Sequence, residues 1–237
     1  ADDYRQKTKA LIEKYDELTQ SLFLDMFGDP VTNSKGWDKK TLVDIVSSEQ
    51  YSLKRGPFGG SLKKEIFKET GYKVYEQKNA IKKNVKVGKY FIDEIKYNEM
   101  KAFNVNPGDF IVSCSGTIGE IFQIPVGAPE GIINQALMKI KINEELLLPN
   151  FFESLFTYYI KDNIFISGSK GSGLKNVSSM KIIKAERFIV PSIEYQKKYV
   201  DLKLNLKKQK AQAQDSLAGA EDLFNSLLQR AFKGELV

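Results

Sequence analysis

Apolar positions at the two ends of the chain recur at alternating spacings of three and four. Near the N-terminus Tyr4, Thr8, Leu11, Tyr15, Leu18 and Leu22 keep this rhythm, and no Pro or Gly occurs before Gly28. Apolar apart from Thr8, this series predicts a helix from about Asp3 to Phe27 with a heptad seam along one side. Near the C-terminus the same rhythm runs through Tyr195, Tyr199, Leu202, Leu206, Gln209, Ala213, Ser216, Ala220, Leu223 and Leu227. A helix of roughly forty residues would be about 60 Å long. Such a rod is too long to pack along one small domain, so it needs a partner helix. Its seam thins at Ala211, Ala213, Ala218, Gly219 and Ala220, small residues that permit close helix approach.

The two helices also end alike. Leu22-Phe23 followed by Met26-Phe27-Gly28-Asp29 parallels Leu227-Leu228 followed by Ala231-Phe232-Lys233-Gly234-Glu235. A repeated terminus around a different middle marks internally repetitive architecture.

Between the helices the pattern changes to short apolar runs and turns. Val43–Val46, Phe110–Ser113 and Ile140–Ile142 read as strands, and Pro107-Gly108-Asp109 as a turn into one of them. Gly119–Pro125 and Ile132–Ile142 flank a Gly/Pro-rich connection, a hairpin-type return. Phe151–Ile160 carries aromatics on a helical period. The expected fold is α+β: an N-terminal helix over 1–29, one globular mixed α/β domain over 30–192, and a C-terminal coiled-coil helix over 193–237.

Charge adds a direction. From Tyr51 to Val105 there are 13 Lys/Arg against 6 Asp/Glu, an excess of +7, and residues 161–187 add +4. The first thirty residues run the other way, at −3. A basic excess confined to the middle is an electrostatic footprint for phosphate, or else a solvated Lys-rich surface. The single cysteine, Cys114, rules out an internal disulfide, and the lack of histidine removes every imidazole-based mechanism and most metal sites. No run approaches the ~20 apolar residues of a membrane span and no charged-then-apolar leader is seen, so a cytoplasmic protein is expected, with no membrane partner.

Four polar segments of the middle carry candidate chemistry. In Lys54–Lys64, glycines let backbone amides approach a phosphate that Lys54, Arg55, Lys63 and Lys64 could neutralise; a nucleotide-binding P-loop would need a Gly-Lys-Ser/Thr that is absent. In Tyr75–Lys83, Gln77 and Asn79 have the paired donor and acceptor that hold adenine, with Tyr75, Lys78, Lys82 and Lys83 around them for the backbone. Ser115 and Thr117 sit in a Gly-rich turn, where a serine nucleophile would lack a base. Ser169, Lys170, Ser172 and Lys175 belong to a Gly/Ser loop able to order on a nucleic-acid backbone. Each segment has a plainer reading as loop, turn or strand face.

Their order along the chain resembles the target-recognition domains of type I restriction–modification specificity subunits. Phe27-Gly28-Asp29-Pro30 with Lys35-Gly36-Trp37 is similar to the family's passage from helix into recognition domain. Gly71–Tyr75 through Asn79-Ala80-Ile81 is similar to the family's Gly…Gly-Asn-Ile stretch, with Lys73 where proline is usual and Lys78 where glycine is. Gly108-Asp109 with Gly116-Thr117-Ile118-Gly119, then Asn134-Gln135, then Val190-Pro191 with Gln196, and the C-terminal Leu227–Leu236 complete the series. The departure is that a typical member carries two recognition domains, and this chain carries one.

The resemblance implies a non-catalytic subunit that reads double-stranded DNA, in a prokaryotic cell. Its helices, through Leu11, Leu18, Leu22, Tyr199, Leu202, Leu206, Leu223 and Leu227, would pair with a second copy, space two readers on a symmetric bipartite site, and dock modification subunits. No cofactor is expected on this chain. S-adenosylmethionine would belong to the modification subunit, which methylates adenine, and ATP to the restriction subunit. The alternative is a coiled-coil dimeric scaffold with a nonspecific basic surface.

Overall fold

The computed structural model describes residues 2–161, 166–167, 176–177 and 179–234. Helix α1 (Asp2–Phe27) is followed by strand β1 (Lys39–Thr41), helix α2 (Leu42–Ile45) and strand β2 (Leu53–Arg55). Next come β3 (Tyr72–Tyr75), α3 (Gln77–Ile81), β4 (Phe91–Ile92), α4 (Glu94–Glu99) and β5 (Asn104–Val105). Strands β6 (Phe110–Ser113), β7 (Ile121–Gln123), β8 (Gly131–Ile133) and β9 (Leu137–Ile140) lead to helix α5 (Pro149–Lys161). After β10 (Ile166–Ser167), β11 (Asn176–Val177), α6 (Met180–Ala185) and β12 (Arg187–Ile189), helix α7 (Ile193–Phe232) runs for 40 residues. This is the mixed helix-and-sheet fold with long terminal helices that the sequence predicts. The chain divides into a helical unit, Ala1–Asp29 with Glu194–Val237, and a globular unit, Pro30–Ile193.

In the helical unit α1 and α7 run antiparallel. Phe27 packs edge-on against Tyr195 and Tyr199 at 5.5 and 5.3 Å, and Phe23 meets Tyr199 at 5.7 Å. Midway, Lys210 pairs with Asp16 at 2.6 Å, and toward the start of α1 Arg5 reaches Glu221 at 3.4 Å and lies over the Phe224 ring. The partner that the long helix needs is therefore the chain's own α1. Thr8 and Tyr199 are buried in this seam, and Leu22 and Leu206 are half-buried. Tyr15, Tyr195, Ala213 and Ala220 are half-buried as well, whereas other predicted members turn outward: Tyr4 is 52% exposed, Leu11 43%, Leu18 50%, Leu202 46%, Leu223 62% and Leu227 41%. In their place the seam takes in Ile12, Thr19, Lys203 and Lys210. Each lies one residue from a predicted position, a rotation of about 100° on a helix.

The globular unit holds two four-stranded sheets, ordered β2-β9-β6-β7 and β4-β3-β8-β5. Ile111, Ile133, Leu137 and Tyr75 share one core cluster, and Phe152 of α5 packs against Phe110 at 5.2 Å. Two expectations are overturned here. Val43–Val46 is not a strand, because the Thr41 backbone N–H and hydroxyl both donate to the Asp44 carboxylate (3.0 and 2.5 Å) and cap helix α2, which buries Leu42 and Ile45. Local capping outweighs the β preference of Val and Ile. The hairpin-type return does not form either. Strand β7 pairs with β6, whereas β8 lies parallel to β3, so the Gly/Pro-rich connection crosses from one sheet to the other. Gly131 permits this close pairing, since a Cβ there would meet the Lys73 carbonyl oxygen at 1.9 Å.

Candidate nucleic-acid interface

Strand register gathers the loops onto one rim. Arg55 pairs with Met138, Ser113 with Leu137 and Tyr75 with Ile133, so the ends of β2, β6, β3 and β8 meet at the Asn134–Ala136 connection. Three backbone hydrogen bonds tie them there: Asn134 N–H to Tyr75 O (3.0 Å), Cys114 N–H to Ala136 O (2.7 Å) and Gly56 N–H to Leu137 O (2.8 Å). Segments that leave these strands, namely Gly56–Phe58, helix α3 and the 114–119 turn, consequently share one edge of the globular unit. They lie far apart in sequence.

The turn after β6 is braced from within. The Ser113 hydroxyl donates to Thr117 O (2.6 Å) and accepts from Glu120 N–H (2.9 Å), and Gly119 N–H donates to Ser113 O. Gln77, at the start of α3, donates its amide to Ser115 O and, at 3.3 Å, to Thr117 O. Thus the second and third candidate segments are brought together, with Gln77 clasping the turn through backbone oxygens. Cys114 is fully buried behind it, and burial pushes its thiol up to about 12.

Beside this clasp lies an open groove of about 640 Å³, lined by Lys54, Arg55, Phe58, Gln135 and Lys184 among others, with no carboxylate in its wall among the described residues. The Lys54 ammonium sits over the Tyr51 and Phe103 rings at 5.3 and 5.2 Å, which holds its charge at the groove edge. Lys63 and Lys64 follow, both exposed.

Other candidate residues lie elsewhere or do other work. Asn79, expected to read a base, is fully buried: its Oδ1 accepts from Glu76 N–H, and its Nδ2 donates to Asn84 O and Val87 O. Its amide is consumed in closing the loop after α3. Tyr75, likewise assigned to DNA contact, is fully buried in β3 with its hydroxyl donating to Pro129 O at 2.6 Å, and burial pushes its pKa up to about 12. Both are structural, because β3 is buried on both faces, Val74 in one cluster and Tyr75 in another, and Asn79 is spent on the cap of α3. Lys78 pairs with Glu76 at 2.9 Å and Lys83 with Glu153 at 2.9 Å, while Lys82 is exposed. Ser169, Lys170, Ser172 and Lys175 lie outside the described residues. Phe58, Gln135 and Lys184 are additions that the segment-by-segment reading passed over, although Gly-Pro before Phe58 in a Lys-rich run marks a presented ring.

Asp109 of the Gly-Asp motif is also structural. It is 1% exposed, its Oδ2 accepts from Asn106 N–H at 2.9 Å, and it lies 4.0 Å from the buried Lys139 ammonium, which donates to Asn104 O. Burial raises the Asp109 pKa and lowers that of Lys139. Among the described residues no group of three metal-ligating side chains occurs, and no helix is long and apolar enough to cross a membrane.

Residues 34–211 match the family model of the type I restriction modification DNA specificity domain. The chain belongs to this specificity family. The fold agrees with that of solved family structures. The HsdS subunit from Thermoanaerobacter tengcongensis superposes with a TM-score of 0.66 at 15% identity, over 99% of this chain and 55% of that one. A chain from a study of complex assembly and conformational transition of the type I R-M system gives 0.70 at 15% identity, again over 99% and 55%. The S subunit from M. genitalium gives 0.55 at 18% identity, over 97% and 57%. This specificity chain therefore spans about half the length of the solved chains it matches. No curated protein matches it in sequence.

Proposed function

We propose that this chain is a half-length specificity subunit that reads one half of a bipartite DNA site and leaves catalysis to partner subunits. The observation that carries the reading is the convergence of four strand ends onto a rim whose groove holds Lys54, Arg55 and Lys184 and, among the described residues, no acid. Cations on a pinned backbone suit phosphate, and amides such as Gln135 on the same rim suit base edges. A modification subunit carrying S-adenosylmethionine would methylate adenine at the chosen site, and a restriction subunit using ATP would cleave unmodified DNA.

A second copy supplies the other reader. Tyr4, Leu11 and Leu18 are seven residues apart and all at least 43% exposed, an apolar stripe on the outer side of α1. Burying the exposed half of each leucine against a second copy would contribute about 1 kcal/mol. Two copies related by a two-fold axis would read a symmetric interrupted site in the cytoplasm of a prokaryotic cell.

The test is a titration of the chain with its modification subunit against a duplex selected from a random pool and a scrambled control. The selected duplex should bind at least ~1,000-fold more tightly. Equal binding to both would leave a scaffold with a nonspecific basic surface.

A further inference from the structure

Phe58 is 93% exposed, a phenyl ring held in water on the rim that presents the basic groove. It is not a loose ring on a loose loop. Gly56 is pressed against the Asn134 backbone, Pro57 is buried, and the Phe58 carbonyl accepts from Ser61 N–H at 2.9 Å. A buried proline with its restricted φ behind a pinned glycine gives the ring a fixed base. On that base stand Arg55, Lys54 and, from helix α6, Lys184. An exposed aromatic on a pinned base with three cations in the same groove has the makeup of a wedge: the charges neutralise adjacent phosphates while the ring replaces base-on-base stacking.

We propose that Phe58 inserts at a base step of the bound duplex and unstacks it, with Arg55 and Lys184 on the flanking phosphates. This rests on the DNA-reading function proposed above and adds a source of specificity to it. A step that unstacks easily, such as pyrimidine–purine, is favoured without any hydrogen bond to its bases.

The experiment uses the full chain, alone and with its modification subunit. Preferred duplexes are recovered from a random-sequence pool, and 2-aminopurine is then placed at successive positions of the preferred duplex. Wild-type protein should brighten the probe at one step. Phe58→Ala and Phe58→Lys should abolish the brightening, with Phe58→Ala binding ~10-fold more weakly, whereas Phe58→Trp keeps both. Unchanged brightening and affinity in Phe58→Ala would overturn the wedge while leaving DNA reading intact. So would a loss confined to binding of the modification subunit, which would make the ring a protein contact. Recovery of no preferred duplex would overturn the DNA-reading function, and the wedge with it. Because the ring is exposed, the thermal midpoints of the variants should match the wild type.

Discussion

A Cβ on Gly56 would stand 1.8 Å from the carbonyl oxygen of Asn134, so the chain leaving β2 and the connection from β8 to β9 are in direct backbone contact. Neither backbone can yield without breaking the Gly56 N–H to Leu137 O and Asn134 N–H to Tyr75 O hydrogen bonds. Gly56→Ala should therefore cost about 1–3 kcal/mol in urea unfolding and displace the rim, weakening DNA binding more than that loss alone. A variant with wild-type unfolding and binding would mean that the contact relaxes freely.

Asn79 and Gln77 should separate cleanly. Asn79→Ala removes a fully buried amide from Glu76 N–H, Asn84 O and Val87 O and should destabilise by about 2–3 kcal/mol. Gln77→Ala releases the 115–117 turn from a half-buried position and should cost about 1 kcal/mol while changing DNA affinity. Equal thermal midpoints for the two variants would contradict this assignment.

Burial of Cys114 and Tyr75 makes stability fall at high pH. Both are acids whose folded pKa lies above the unfolded value, from 9.0 to about 12 for the thiol and from 10.0 to about 12 for the phenol. The unfolded chain loses these protons first, so stability is full below about 9 and declines as pH rises toward 12. Urea midpoints measured across that window should drop steadily. In the native protein at pH 8, Cys114 should also resist a thiol reagent that labels it in denaturant. Rapid native labelling would show that the turn opens.

Asp109 and Lys139 form a buried pair in which each group depends on the other. Asp109→Ala would remove the carboxylate 4.0 Å from the buried Lys139 ammonium and leave it donating to Asn104 O, at a cost of about 3–5 kcal/mol. The double change Asp109→Asn with Lys139→Met should recover most of that loss. Chemical denaturation of both variants checks the coupling, and equal destabilisation of the two would mean that the pair contributes none.

Leu11→Glu with Leu18→Glu tests the outward stripe. Both positions point away from α7, so each change should alter the stability of a single copy by no more than ~0.5 kcal/mol. Self-association should nonetheless be lost in analytical ultracentrifugation. A double variant that still sediments as a dimer would place the interface elsewhere.

The long helices and α5 are legible in the sequence because a helix is a local object, written in a period of three to four residues. The strand at Phe110–Ser113 is legible for the same reason. Which side of each helix meets a partner is less so. Leu11 and Leu18 continue the apolar series as well as Ile12 and Thr19 do, and only packing of Phe23 and Phe27 against Tyr199 selects the phase. For the rim, residue type alone identifies the Lys54–Lys64 run as a cationic segment. That Asn79 is an internal brace while Gln77 holds a turn some forty residues away depends on which strands pair. Pairings such as Tyr75 with Ile133 and Ser113 with Leu137 are long-range, so tertiary structure alone decides which polar groups are spent inside and which face a ligand.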